Sequence, residues 1–410
     1  MLRCGLLGEK LQHSYSPAIH KMLGDYEYKL YEKSEAELDA FMTGNEWDCL
    51  NVTIPYKKAV IKYLTHISDG AKMAGSVNTI VRNEKGELCG YNTDVTGFEE
   101  TLKRSGSDFC GKKALILGNG GAAGAVRTAL LNLGAKTYTI SRSGEFNYQN
   151  LELNEDAEVI VNTTPLGMYP NCGVAAVDLE RFKKCKYVFD LIYNPARTRL
   201  LLQAEKLGMY AANGLFMLTA QAVRASEIFT GATIGQEVKK RVYESLCDDM
   251  TNIVLVGMPG SGKSSIAQML GSKTKRPVLD SDEEILKKTG RKPADIINED
   301  GEEAFRKIES EVLAEIGKLS GIIVATGGGV VTREENYDSL HQNGRIYWIK
   351  RDLNLLATDG RPLSQKGNIE EIYKKREPLY SRFADATVLN DMTIEEAVIK
   401  IRGHATSTVL

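Results

Sequence analysis

The segment Gly257-Met258-Pro259-Gly260-Ser261-Gly262-Lys263-Ser264 concentrates chemistry in few residues. It fits G-x-x-x-x-G-K-S, follows the apolar run Asn252-Ile253-Val254-Leu255-Val256 and precedes a helical stretch, the context in which such a loop wraps phosphates. Backbone N–H groups from Gly260 to Ser265 are placed to cradle the phosphates, Gly260, Ser261, Gly262 and Ser265 among them. Lys263 reaches the terminal phosphate, and the Ser264 hydroxyl suits Mg2+. ATP with Mg2+ is the expected ligand. A second glycine turn, Gly118-Asn119-Gly120-Gly121-Ala122-Ala123, fits G-x-G-x-x-G/A, where a helix N-terminus meets a pyrophosphate. The following strand ends at Ser141-Arg142-Ser143. NAD-type folds carry a carboxylate there for the ribose 2′-OH. A guanidinium with two hydroxyls suits a 2′-phosphate instead, so NADPH/NADP is expected.

These residues need rigid elements to hold them. Lys112-Lys113-Ala114-Leu115-Ile116-Leu117 reads as a buried strand, residues from about Ala123 to Leu133 as a helix, and Lys136 to Ile140 as the next strand. The same strand–glycine–helix order recurs at 252, so the expected class is α/β with parallel sheets. At 410 residues the chain is long for one core. The charged stretch Gly235 to Met250 reads as a helix end plus linker, with the boundary near Asp248. The net charge of −2 is spread over halves that are both near neutral, which leaves no electrostatic footprint for nucleic acid. The apolar start is too short for a signal peptide and no run is long enough to span a bilayer, so a cytoplasmic protein without a membrane partner is expected. The 7 cysteines are scattered and form no C-x-x-C, and no H-E-x-x-H occurs; reduced thiols and no side-chain metal cage are expected.

Six short blocks give the first half its resemblance. His13-Ser14-Tyr15-Ser16-Pro17, Asn51-Val52-Thr53-Ile54-Pro55-Tyr56-Lys57, Gly75-Ser76-Val77-Asn78-Thr79, Tyr91-Asn92-Thr93-Asp94, Val161 to Met168 and Asn213 to Gln221 are similar, in order, to the shikimate dehydrogenase family. Read alone, Lys57-Lys58 is a solvated pair, and Ser14 and Ser16 are a turn and a cap before Pro17. The resemblance implies that Lys57 and Asp94 are the proton-handling pair of ketone reduction. It implies that Ser14, Ser16, Thr53, Asn78, Asp94, Tyr193 and Gln221 bind 3-dehydroshikimate. It places Asp69, Gly118, Asn119, Gly120, Gly121, Ala122, Ser141, Arg142, Ser143, Thr163, Leu191 and Gly214 around the cofactor. The chain departs from the family at Val95, where Gly is usual, and at Thr163, where Ala is common.

The second half resembles the shikimate kinase family. Asp280-Ser281-Asp282 is similar to its D-x-D, Gly301 to Glu309 to its G-E-x-x-F-R-x-x-E helix, and Thr326-Gly327-Gly328-Gly329 to its glycine loop. Arg361-Pro362-Leu363 resembles its lid and Arg376-Glu377-Pro378-Leu379-Tyr380 its second carboxylate clamp. The resemblance implies Asp280 near Mg2+ and the reacting hydroxyl, Asp282 on substrate hydroxyls, and Arg306 and Arg376 on the shikimate carboxylate, with Glu309 holding Arg306. Gly327, Gly328 and Gly329 would lie under the ring, and Arg361 would meet the transferring phosphoryl and the nucleotide. The lid is short, and Leu355-Leu356-Ala357 stands where the family carries a further arginine. The expected layout is a substrate-binding domain (1–97 and 215–240), a Rossmann NADP domain (98–214), a linker (241–250) and a P-loop domain of nucleoside-monophosphate-kinase type (251–410). Quinate or another polyol as substrate, or a catalytically dead sensor, are the alternatives; the presence of Lys57, Asp94, Lys263 and Asp280 speaks against the last.

Overall fold

A computed structural model of the chain describes residues 1–11, 14–356 and 369–405, and these are α/β throughout. They divide into one unit of Met1–Leu166, Val174–Tyr193 and Gln203–Ser245, and a second of Gly167–Gly173, Asn194–Leu202 and Leu246–Leu410.

The first unit holds two sheets. β1 (Arg3–Gly8), β2 (Glu27–Glu32), β3 (Cys49–Val52), β4 (His66–Ile67), β5 (Thr79–Arg82) and β6 (Leu88–Tyr91) make a mixed sheet in the order β2-β1-β3-β5-β6-β4. β7 (Lys113–Leu117), β8 (Lys136–Ile140), β9 (Val159–Asn162), β10 (Tyr187–Asp190) and β11 (Tyr210–Ala212) make a parallel sheet in the order β11-β10-β9-β7-β8. Ala114 to Leu117 and Val159 to Val161 are buried on both faces, which is why they are unbroken apolar runs rather than an alternation. The helix Thr93–Arg104 buries Val95, Phe98 and Leu102 on one stripe. It can lie close to the helix Leu215–Thr230 because Gly97 has no side chain; a methyl there would fall 2.8 Å from the Met217 carbonyl oxygen. The helix Gly121–Asn132 meets the helix Asp69–Ala74 in the same manner at Gly124, where a methyl would fall 2.2 Å from the Ala74 carbonyl oxygen.

In the second unit, β12 (Asn252–Val256), β13 (Val278–Asp280), β14 (Ile323–Ala325), β15 (Gly344–Lys350) and β16 (Ala386–Leu389) form a parallel sheet in the order β13-β14-β12-β15-β16. Apolar side chains cover both of its faces. The helix Glu302–Lys318 carries one buried stripe of mixed character: Val312, Leu313 and Ile316 toward its C-terminus, Arg306 and Glu309 nearer its start. Buried charge is costly unless paired, so the polar end of that stripe marks a place where charge is used. The stretch read as helix end and linker is a helix over Gln236–Met250. Among the described residues no helix is long and apolar enough to cross a membrane.

Candidate active sites

In the first unit, the chain leaving β3 turns through Thr53 to Pro55 and delivers Lys57. Its ammonium donates to Asp94 Oδ2 at 2.6 Å. Asp94 lies in the first turn of the helix Thr93–Arg104, capped by Asn92, whose Oδ1 accepts from Val95 N–H. Neither partner is open to bulk water, with the side chains 17% and 9% exposed. A desolvated pair of this kind holds its geometry while a third polar group arrives. Around it, Asn78 Oδ1 accepts from Thr93 N–H at 2.7 Å, and the Thr93 hydroxyl donates to Gln221 Oε1 at 3.4 Å. Ser14 Oγ accepts from Ser16 N–H, and the Tyr15 ring meets the Tyr193 ring edge-on at 6.1 Å. Burial pushes the Tyr193 phenol above its ordinary range.

The glycine turn lies beside the lysine. A methyl on Gly121 would sit 3.8 Å from Cδ of Lys57, and Ser76 Oγ donates to the Gly121 carbonyl at 3.4 Å. Gly118 takes φ +106°, and a methyl there would meet Thr163 Oγ1 at 2.8 Å. Thr163, the departure noted in the sequence, donates to the Leu117 carbonyl at 2.7 Å and so ties β9 to β7 at the turn. The helix Gly121–Asn132 starts without a side-chain cap, which leaves its first N–H groups for an anion.

A cavity of about 770 Å3 runs along this turn. It is lined by the expected Thr53, Lys57, Gly118, Asn119, Gly120, Gly121, Ala122, Ser141, Arg142 and Thr163. That volume and the uncapped helix start fit a dinucleotide. Ser143, Leu191 and Gly214 lie outside this lining, although Gly214 is pressed against the Leu191 carbonyl oxygen, where a methyl would fall at 2.0 Å. Asp69 is also outside it; this carboxylate is 96% exposed and pairs with Lys72. Ile54, Lys58, Tyr148 and Leu166 line the cavity and were not singled out from the sequence. Ile54 and Leu166 belonged to blocks already recognised, whereas nothing in the sequence set Tyr148 apart.

In the second unit, Lys263 is buried and donates to the carbonyls of Gly257 and Met258, both at 2.9 Å. Ser264 Oγ donates to Asp280 Oδ2 at 2.9 Å, while Asp280 Oδ1 caps the helix Ser281–Thr289 by accepting from Asp282 N–H. Asp280 thus serves as cap and as hydroxyl partner at once. Hydroxyl and carboxylate together are a hard-oxygen pair of the kind that holds hydrated Mg2+ beside phosphates. Asn390 braces the loop from outside by donating to the Ser261 carbonyl at 2.7 Å; the sequence gave no sign of it.

Arg306 donates to Glu309 Oε2 at 2.7 Å and to Glu302 Oε1 at 3.0 Å. Glu309 is fully buried, and burial raises its carboxyl against the pull of Arg306 and Arg376. The three consecutive glycines make room for this group. Methyls on Gly327 and Gly329 would fall 2.8 Å from Glu309 Oε1 and 2.0 Å from Arg306 Nη2. Arg376 Nη1 donates to the Gly328 carbonyl at 3.1 Å, joined there by the Tyr380 hydroxyl. Asp282 keeps solvent access yet is crowded by protein. Loss of hydration, and then the charges of Asp280 and Glu309, push its carboxyl up to about 6. Arg361 and the rest of the lid motif lie outside the described residues. Lys350, near the start of that segment, is paired with Glu377 at 3.0 Å.

Comparison with known proteins follows the same division. Residues 6–80 match the model of the shikimate dehydrogenase substrate binding domain, and residues 259–404 that of shikimate kinase. The NADP(+) shikimate dehydrogenase of Clostridium perfringens (strain SM101) is 39% identical over 59% of this chain and 97% of its own length. Shikimate dehydrogenase 1 of Peptoclostridium difficile superposes with a TM-score of 0.56 at 35% identity, covering 60% of this chain and 98% of that one. The Thermus thermophilus shikimate 5-dehydrogenase, solved with NADP(H) and shikimate, gives a TM-score of 0.55 at 30% identity over 60% and 99%.

Proposed function

Since the chain belongs to the shikimate dehydrogenase family and also carries a shikimate kinase domain, we propose that it performs two successive reactions. It reduces 3-dehydroshikimate to shikimate with NADPH and phosphorylates shikimate to shikimate 3-phosphate with ATP. The observation that carries this reading is the company each glycine loop keeps. The first lies beside the shielded Lys57–Asp94 pair; the second carries Lys263 and packs through Pro259 on the Gly327–Gly329 turn that makes room for the buried Arg306–Glu309 pair.

In the reductase, NADPH supplies the hydride. Lys57 stands by the carbonyl oxygen and delivers the proton that completes the alcohol, with its electrostatic hold lowering the cost of the developing alkoxide. Asp94 keeps the ammonium in place and accepts from a substrate hydroxyl. Ser14, Ser16, Thr53, Asn78, Tyr193 and Gln221 bond the substrate's carboxylate and ring hydroxyls. Arg142 meets the cofactor 2′-phosphate.

In the kinase, ATP with Mg2+ supplies the phosphoryl group. Arg306 and Arg376 grip the shikimate carboxylate, and Asp282 accepts from its hydroxyls, which aims the 3-hydroxyl at the γ-phosphorus. Asp280, which with Ser264 would hold Mg2+, draws off the hydroxyl proton. Lys263 stabilises charge on the phosphoryl oxygens in transfer. Arg361 is assigned the second cation there.

Purified full-length protein should oxidise NADPH with 3-dehydroshikimate in preference to 3-dehydroquinate. It should also consume ATP with shikimate. Absence of either activity overturns the corresponding half of the reading.

A further inference from the structure

Behind the reductase's substrate residues lies a buried polar and aromatic cluster that the reaction scheme does not use. His20 is 1% exposed, and its Nδ1 lies 2.7 Å from the Tyr26 hydroxyl, which donates to Ser226 Oγ at 2.8 Å. The His20 ring stacks on Tyr28 at 4.0 Å and 10°. Burial drives the imidazole down to about 3, so it stays neutral and the cluster brings no charge toward the site. The Tyr28 hydroxyl donates to Asn51 Oδ1 at 2.8 Å. Asn51 Nδ2 in turn donates to Thr79 Oγ1 at 3.3 Å and to the Asn78 carbonyl at 3.5 Å. Asn78 closes on Thr93, the residue before Asp94, through both side-chain atoms.

We propose that Tyr28 is a positioning residue of the reductase site, whose buried hydroxyl holds the substrate-binding side chains from behind by fixing Asn51, and through it Asn78 and Thr93, in one arrangement. The proposal rests on the reductase reading above. A phenylalanine would make the same stack on His20, so packing alone does not call for the hydroxyl. Burying a hydroxyl is unfavourable unless its bond is made, and here it is made to Asn51, whose own bond leads on to Asn78 and so to Thr93. Asn51 comes from β3, Thr79 from β5 and Thr93 from the helix Thr93–Arg104. One side chain on β2 thus sets the spacing of three elements that must meet a small polyhydroxy acid together.

The test is Tyr28→Phe in the full chain. Loss of one bond to a buried amide should raise KM for 3-dehydroshikimate on the order of tenfold while kcat changes by less than about threefold. KM for NADPH and phosphorylation of added shikimate should stay at wild-type values, a split that general loosening of the fold would not produce. In an Asn51→Ala background the same change should cost less than in wild type, because the hydroxyl acts through that amide. Asn51→Ala removes the acceptor instead of the donor and should give the same split; it carries the test where Tyr28→Phe folds poorly. An unchanged KM for 3-dehydroshikimate, a parallel rise in KM for NADPH, or strict additivity with Asn51→Ala overturns the role. An inactive wild type would instead contradict the reaction itself.

Discussion

The chain contains two strand–glycine–helix turns, and they differ in what the loop does with charge. The turn at Gly118 has no cation of its own; its lysine, Lys57, comes from the other sheet of the same unit and is already engaged by Asp94 at 2.6 Å. The turn at Gly257 carries Lys263 within the loop, folded back on its own carbonyls. The contrast follows from the chemistry. A dinucleotide that donates hydride keeps its phosphates, so dipoles and N–H groups suffice to hold them, and the charged residue is needed at the carbonyl. A nucleotide that gives up its terminal phosphoryl needs a cation at the phosphate itself.

The largest effect should come from removing the cation that belongs to the loop. Lys263→Ala should lower the kinase kcat on the order of 10³–10⁵-fold, the range for cations at a transferring phosphoryl, and leave NADPH oxidation unchanged. Steady-state assays of both reactions on one preparation check this; a loss shared by both activities would break the comparison. Lys57→Ala should lower reduction of 3-dehydroshikimate by roughly 10²–10⁴-fold with phosphorylation intact. A variant keeping half the reductase rate would remove Lys57 from the chemistry.

A smaller effect is expected at the cofactor end. Arg142→Ala should weaken NADPH by about 10–100-fold, the worth of a charged hydrogen bond, and leave NADH nearly unchanged. The ratio of kcat/KM values for the two cofactors measures it. An unaltered ratio would mean that the 2′-phosphate is held elsewhere, with Lys58 the next cation on the cavity wall.

The kinase site should also titrate. With its carboxyl pushed up to about 6, Asp282 takes up a proton at higher pH than an ordinary aspartate. It is ionised at pH 7 and accepts from substrate hydroxyls; below pH 6 it becomes neutral and that acceptance weakens. kcat/KM for shikimate should therefore fall as pH drops through about 6, and Asp282→Asn should flatten that limb while lowering the plateau. A limb that persists in the variant belongs to another group. The mildest test concerns packing. Gly124→Ala forces a methyl onto the Ala74 carbonyl oxygen and should cost about 1–3 kcal/mol of stability in a thermal melt.

How much of this was legible in the sequence depended on how local the signal was. β8 and β12 coincide with the runs read as strands, β12 as a near-continuous apolar run and β8 through its β-branched and aromatic residues. The helix after the first turn begins at Gly121, two residues before expectation, since glycines carry little helix signal. Both glycine turns are contiguous and could be read directly. Lys57 and Asp94 are 37 positions apart, and only the resemblance joined them. Tyr148, Asn390 and the Tyr28–Asn51 link were invisible. Each depends on a tertiary contact between residues whose types are ordinary in a loop, strand or strand end. Asp280 shows the reverse case, where one carboxylate oxygen caps a helix, as the plain reading had it, and the other accepts from Ser264.

The central claim is that one chain carries both chemistries. It is tested most directly by incubating purified protein with 3-dehydroshikimate, NADPH, ATP and Mg2+ and following all products with time. The account predicts transient shikimate and then shikimate 3-phosphate, with one NADPH oxidised and one ATP consumed per phosphorylated product. Lys263→Ala should stop at shikimate, and Lys57→Ala should leave nearly all of the 3-dehydroshikimate unreduced. NADPH oxidation without any phosphorylated product from the wild type, with added shikimate also left untouched, would contradict it.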